Sequence, residues 1–419
     1  MSTAVCLQAV LREGAAAALR VDLAAADAAV SAGDSPLAAV PGVHFARWLI
    51  VPGDSLLPGG AVPDTLVYTA DVDGSSAGHL RELERHAGEL LDQLFGHCLD
   101  YPAAPGDRAR WLREHRVANA ASYVNTVGLT VDRIGAEARL SDWLQRRLDQ
   151  QRAELMWLRP AEIHRRLRAA LAADPAMAYA LEPASGERPT ARLRRWLTLA
   201  AAVIIIVVVL LPLLVVIGFP WLLALRRLER RDPSSSERPD RGRVDLLRSR
   251  EDAFAHNPFA ALGVVKAGSL RANTVKIVLL GISVAASFVF IRGSLAGVTT
   301  IHVARWVPLD GGRRMIFTSC YDGSLESYMN DFIDKLSWGL NVIFSNGVGY
   351  PRTRWLIFGG AKDEQTFKDY LRCHQLETSI SYAAHPTLTM ANIRANVAIR
   401  RGLIRPLDDA RAAEWLALL

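Results

Sequence analysis

HFARWLIV, His44–Val51, returns 258 residues later as HVARWVPL, His302–Leu309. Each run mixes β-branched, aromatic and aliphatic residues between turn-forming stretches, which is the composition of a short strand. A strand written twice in 419 residues predicts an internal repeat. The flanks agree. From Asp73-Gly74 to Tyr101-Pro102 is 28 residues, and from Asp322-Gly323 to Tyr350-Pro351 is 28 again, with Ser75 aligned to Ser324, Leu91 to Leu340 and Phe95 to Phe344. A second block, His115, Ser122-Tyr123, Leu129-Thr130 and Ile134, recurs at a constant offset of 259 as His374, Ser381-Tyr382, Leu388-Thr389 and Ile393. Fixed spacing of this kind marks a duplicated structural element.

ARWLIV and ARWVPL, LVYTADV and MIFTSCY, WLIFGG and SISYAAH read as strands. HLRELERHAGELLDQLF and LESYMNDFIDKLSWGLNVIF carry apolar residues at three- and four-residue spacing and read as amphipathic helices. Each half therefore predicts an antiparallel sheet with helices on one face, and the other face needs a cover. The expected class is α+β, with two ferredoxin-like halves of the dimeric α+β barrel type and an inserted hydrophobic membrane segment. The expected organisation is an Ala-rich helical segment at 1–40, a first repeat at 41–190, a membrane segment at 191–231, a linker with a short apolar helix at 232–298, and a second repeat at 299–419.

The 29 residues from Leu197 to Leu225 carry no charge. As one straight helix they would span about 44 Å, against a hydrocarbon core of roughly 30 Å. Arginines bracket the run on both sides (Arg192, Arg194, Arg195; Arg226, Arg227, Arg230, Arg231), so flanking charge selects no outer end. A second apolar run, Ile277–Ile291, is short for a span. If both runs crossed, the connection from Arg226 to Lys276, with its 12 basic residues, would lie outside. Re-entrant or interfacial insertion is the first expectation, with two crossings or a buried hairpin as alternatives. The bilayer is thus an expected partner.

The chain has 49 Lys+Arg against 43 Asp+Glu, and the arginines crowd around the oily run rather than forming a stripe interleaved with aromatics. That pattern fits a membrane surface and not nucleic acid. Four scattered cysteines, Cys6, Cys98, Cys320 and Cys373, contain no CxxC pair, and no metal-ligand set is assigned from spacing. Arg12 and Glu13 interrupt the N-terminal apolar stretch, so no secretory signal is expected and the folded parts are expected in the cytoplasm.

Polar residues present in both copies are the candidate chemistry: His44/His302, Arg47/Arg305, Asp73/Asp322, Arg113/Arg372, His115/His374 and Tyr123/Tyr382. Arg offers a fixed fork for an anion or carboxylate, and Asp can hold that fork or move a proton. Asp before Gly-Ser is also an ordinary turn and cap, a strand His is commonly hydrogen-bonded, and a His ending a helix suits the helix dipole. His302 is expected on the Arg305 side of its strand. The second half, with Tyr321, Tyr328 and Trp338, is the richer one. Asp322, Arg305 and His374 are the candidate catalytic residues, and His302, Tyr321, Tyr382 and Arg372 the candidate ligand-binding residues.

HVARW, YDGSLESYMNDF, GVGYPRTRWL and AHPTLTMANI together resemble an uncharacterised bacterial membrane-associated family in which an HFARW-type strand precedes a YDG motif. More distantly, the duplicated architecture with Asp-Gly after a strand is similar to the dye-decolourising peroxidases of the dimeric α+β barrel class. That resemblance implies haem and peroxide chemistry. It matches Asp322-Gly323 to the end of their GxxDG motif, with Ser319 where the first Gly would stand, and leaves His374 as the residue to test as axial ligand. The expected function is binding of a hydrophobic or haem-like ligand with peroxide or lipid oxidation chemistry; the alternative is a non-catalytic membrane-anchored scaffold.

Overall fold

The computed structural model describes residues 2–183, 197, 214–233, 237–251, 255–288 and 294–419. The first half runs β1 (Ser2–Val10), α1 (Ala16–Ala32), β2 (Val43–Val51), β3 (Thr65–Asp73), α2 (Ser76–Phe95), α3 (Arg108–Glu114), β4 (Ala121–Val124), α4 (Val131–Gln150), α5 (Arg152–Leu155) and α6 (Pro160–Ala173). The second runs α7 (Phe219–Glu229), α8 (Arg241–Arg248), β5 (His256–Val264), α9 (Ser269–Phe288), β6 (Ile301–Leu309), β7 (Arg314–Asp322), α10 (Leu325–Phe344), β8 (Thr353–Arg354), β9 (Phe358–Gly359), α11 (Glu364–His374), β10 (Ile380–Ala383), α12 (Met390–Leu403) and α13 (Asp409–Leu416). The chain is mixed α+β and its sheets are antiparallel.

Two compact units result: 1–127 with 201–387, and 128–200 with 388–419. The first holds both large sheets, in orders β1-β3-β2-β10 and β4-β6-β7-β5. Each sheet takes its fourth strand from the other half of the sequence: Ile380–Ala383 lies along Trp48–Phe45, and Ala121–Val124 along Trp306–Val303.

Period-two alternation builds the layers. Outward residues of the first sheet (Val5, Leu7, Trp48, Tyr68) meet Leu19 and Leu23 of α1, Leu83 and Leu91 of α2, and Trp111 of α3. Outward residues of the second (Phe259, Trp306, Phe317, Tyr321) meet Leu279 of α9, Phe332 of α10 and Phe367 of α11. The inner faces share one core, in which Cys6, Leu49, Val51 and Val67 join Ala260, Val307, Leu309 and Ile316. The second unit is helical, with Leu140 and Leu144 of α4, Leu167 and Leu171 of α6, Ile399 and Leu403 of α12 and Trp415 of α13 forming its core.

Several expected boundaries need correction. Residues 1–40 are not wholly helical, because Ser2–Val10 alternates Cys6 inward with Val5 and Leu7 outward and forms β1. The 232–298 linker contains β5, whose Pro258 is tolerated because β5 is an edge strand. The first repeat does not run to 190 as one body, and the second does not run to 419, since the apolar faces of α4, α6, α12 and α13 find one another rather than a sheet. WLIFGG adds no strand to either four-stranded sheet; only its Phe358–Gly359 is extended, pairing with Thr353–Arg354. Trp355 and Leu356 sit at φ +58° and +60°, in the tight turn between β8 and β9.

Most of the uncharged run lies outside the described residues (198–213). Among the described residues α9 is the one helix long and apolar enough to cross a membrane. It starts eight residues before the expected Ile277. Val275 and Leu279 are buried on one side while Ile277, Leu280 and Val284 are exposed on the other. Val216, Ile217 and Phe219, leading into α7, are also exposed.

Candidate functional site

The Asp-Gly-Ser turns divide their labour in a way the sequence leaves open. Gly74 and Gly323 take φ +82° and +79°, and Ser75 and Ser324 cap the following helices by accepting from Gly78 N and Ser327 N. The aspartates are therefore not the caps. Each instead meets the repeated histidine: His44 Nε2 lies 3.1 Å from Asp73 Oδ1, and His302 Nε2 lies 2.6 Å from Asp322 Oδ1.

Strict alternation would put His302 on the Ala304 face, opposite Arg305. A bulge at His302, where the register passes from Ile301↔Tyr321 to Val303↔Cys320, turns it to the inner face with Arg305. The same bulge occurs at His44, between Val43↔Val72 and Phe45↔Asp71. Bulges beside sites re-aim side chains in this manner.

The second sheet adds a third group. His256, opposite Asp322 in the β5–β7 register, places Nε2 4.0 Å from Asp322 Oδ1. Its ring centroid is 4.4 Å from that of His302. Phe45 of the first sheet presses edge-on against both imidazoles, at 5.6 and 5.3 Å.

His256 also lines a cavity of about 580 Å³, walled by Asp27 and Val30 of α1, Phe45, Cys320, and Tyr382 and Ala383 of β10. Its polar rim includes Glu251, which receives a two-pronged ion pair from Arg372 (2.5 and 3.0 Å), and Arg250, paired with Glu377 at 2.7 Å. Burial raises the Asp27 carboxyl and the Tyr382 hydroxyl above their ordinary pKa values. Burial pushes the Cys320 thiol up to about 12, against the opposing pull of Arg47.

The remaining candidates separate. Arg305 is buried and spans the two sheets, pairing with Asp71 and donating to Val5 O at 2.9 Å. Arg47 does the reciprocal, donating to Phe259 O at 2.9 Å. Both arginines are thus committed between sheets. Tyr321 stacks on Tyr328 at 3.8 Å in the outer core. His374 Nδ1 donates to Tyr370 O (2.8 Å) and its ring leans on the Tyr370 ring at 4.2 Å, and His115 repeats this with Trp111. His374 sits with Gly263 and Val264, seven or eight residues along β5 from His256, or roughly 23 Å at strand rise. Burial depresses its pKa, and the space beside it is about 50 Å³. A haem held by His374 with Asp322 across its face does not fit this geometry.

The structure therefore brings together His302, Asp322 and, at the cavity, Tyr382 and the Arg372–Glu251 pair. It separates Arg305, His374 and Tyr321 from them. His256, Asp27, Phe45 and Cys320 were missed, His256 because HNPFAALGV reads as linker.

Fold and site define an α+β protein with two antiparallel four-stranded sheets and a polar-rimmed cavity at the His256 end of the second. Comparison with protein-family models, with curated proteins and with solved structures returns no match.

Proposed function

We propose that this is a membrane-associated, internally duplicated α+β protein of the dimeric α+β barrel type, and that it binds an amphipathic small molecule in the cavity beside β10. The cavity carries the reading. About 580 Å³ lies within the roughly 300–1,000 Å³ of small-molecule sites, and an apolar wall with a few convergent polar groups suits a ligand with an oily body and a polar end.

Duplication is supported by matched strand orders, matched bulges at His44 and His302, matched serine caps, and the reciprocal bonds of Arg47 and Arg305. Membrane association is supported by the uncharged run Leu197–Leu225, its arginine brackets and the exposed apolar side of α9. Oxidation chemistry through haem gains no support from His374. The scaffold alternative is favoured at one point, the use of Arg47 and Arg305 as pins between sheets.

The test is photolabelling of the membrane-extracted protein with a diazirine fatty acid, followed by peptide mapping. Labelling within 27–45 and 375–386, suppressed by an Ala383→Trp variant that fills the cavity, supports the reading. Labelling confined to 214–228 and 269–288 would sink it, because those segments need only lie in lipid.

A further inference from the structure

Three donors stand together at the inner edge of the second sheet: His256 on β5, His302 on β6 and Asp322 on β7. One ligand atom from each lies within 4.8 Å of the others. They come from three adjacent strands, so the sheet ladder holds their backbones in place. We propose that His256, His302 and Asp322 bind one first-row divalent cation, of the Zn²⁺ or Fe²⁺ class, at the mouth of the cavity.

The first sheet serves as an internal comparison. It has the same bulged histidine and the same aspartate, His44 and Asp73, at hydrogen-bonding distance. The residue opposite Asp73 on β1 is Ser2, whereas the residue opposite Asp322 on β5 is His256. The first sheet thus has the His–Asp pair with a serine at the register position of the third imidazole. The third donor is present in the sheet whose histidine also lines the cavity.

The donor set suits the ion. Two imidazoles and one carboxylate are a borderline nitrogen and oxygen set that selects Zn²⁺, Fe²⁺ or Co²⁺ over Ca²⁺ or Mg²⁺. Three protein ligands leave at least one coordination position open, as in catalytic rather than structural sites. Of the three, His256 lines the cavity.

Metal–ligand bonds of about 2.0–2.1 Å place tetrahedral donors about 3.3 Å apart. His302 and Asp322 stand 2.6 Å apart and His256 and Asp322 4.0 Å apart, with all three atoms within 4.8 Å of one another. Closing on an ion therefore asks for side-chain adjustments of about 1–1.5 Å, with the His302–Asp322 hydrogen bond replaced by two metal bonds. The Phe45 edge contacts supply an apolar layer beside both imidazoles, of the kind that limits solvent access at a metal.

The proposal does not depend on what the cavity binds. Its test uses the full chain in detergent, stripped with a chelator and titrated with Co²⁺ while visible absorption is followed, with Zn²⁺ as competitor. The variants are His256→Ser, which copies the first sheet, and Asp73→Asn, which alters the first sheet alone. One Co²⁺ per chain with a visible ligand-field band, displaced by Zn²⁺ and retained in Asp73→Asn, is the expected result. His256→Ser should weaken binding by about 100-fold or more with the metal-free melting curve unchanged. No ligand-field band, or binding in His256→Ser within about twofold of the parent, overturns the site and leaves a hydrogen-bonded cluster. A metal-free His256→Ser that melts like the parent excludes misfolding as the cause of lost binding.

Discussion

Replacing Asp71 with asparagine separates a structural pin from a reactive arginine. Asp71 and Arg305 are 3% and 2% exposed, and they form an ion pair between the two sheets. Breaking a buried pair by removing one charge costs about 3–5 kcal/mol, because the surviving charge remains desolvated. Arg305 keeps its 2.9 Å bond to Val5 O, and the new amide oxygen still accepts, so the lower end applies, about 3 kcal/mol. At roughly 2–4 °C per kcal/mol for domains of 150–250 residues, the melting midpoint should fall by about 6–12 °C. The assay is calorimetry on the parent, Asp71→Asn, Arg305→Met and the double variant. The double variant should recover much of the loss, since no charge is then left buried alone. The other sheet supplies a contrast: Cys320 occupies the register position of Asp71, opposite Pro258 where Asp71 is opposite Ala4. Cys320→Ala removes only a neutral thiol from the neighbourhood of Arg47 and should cost about 1 kcal/mol. A loss below about 1 kcal/mol in Asp71→Asn, or a double variant no better than the single, would refute the pin.

Two further outcomes follow from buried groups elsewhere. Burial holds His79 down to about 4 from an ordinary 6.5, so the folded state keeps it neutral while the unfolded chain takes up a proton below 6.5. That stabilisation is complete above about pH 6.5, falls as pH drops toward 4, and amounts to roughly 3 kcal/mol. His79→Gln, which can still meet the Tyr68 hydroxyl, should flatten the melting midpoint against pH over that window; an unchanged slope would remove His79 as its source. Glu229 accepts from Trp355 N and Leu356 N at 2.9 Å each and from Arg226 at 2.7 Å, clamping a turn whose non-glycine residues sit at positive φ. Glu229→Gln leaves one acceptor oxygen for these donors and should cost about 2–3 kcal/mol, with faster proteolytic cutting at 353–360. Unaltered cutting there would contradict the clamp.

Much of the α+β architecture was legible because burial of one sheet face imposes period two and burial of one helix face imposes a three-to-four spacing. HFARW, HVARW and the two Asp-Gly turns carry those periods strongly. β5 was not legible: HNPFAALGV has a proline, a glycine and two alanines, and it shares little with STAVCLQAV although the two strands take the same place in their sheets. With β5 went His256. The exchange of β4 and β10 between sheets was also hidden, since hydrogen-bond partners across 180 or more residues leave no local period. Arg305 illustrates a different limit. Its presence in both halves marked it as constrained, and the constraint lies in contacts between sheets rather than at a cavity. The same filter did find His302 and Asp322, because the bulge and the turn that join them are local.

β10 lies along β2, and its residues Ser381–Ala383 line the cavity together with His256. Ala46 and Tyr382 are partners in that register. Antiparallel partners have Cα atoms about 4.5–5.5 Å apart, within the range a disulfide spans. An Ala46→Cys, Tyr382→Cys variant in a Cys373→Ser background, oxidised mildly and mapped by peptide mass spectrometry, measures this directly. The expected result is an intramolecular disulfide joining positions 46 and 382 in monomeric protein. Free thiols at both positions, or a disulfide found only between chains, would contradict the strand exchange and the cavity it builds.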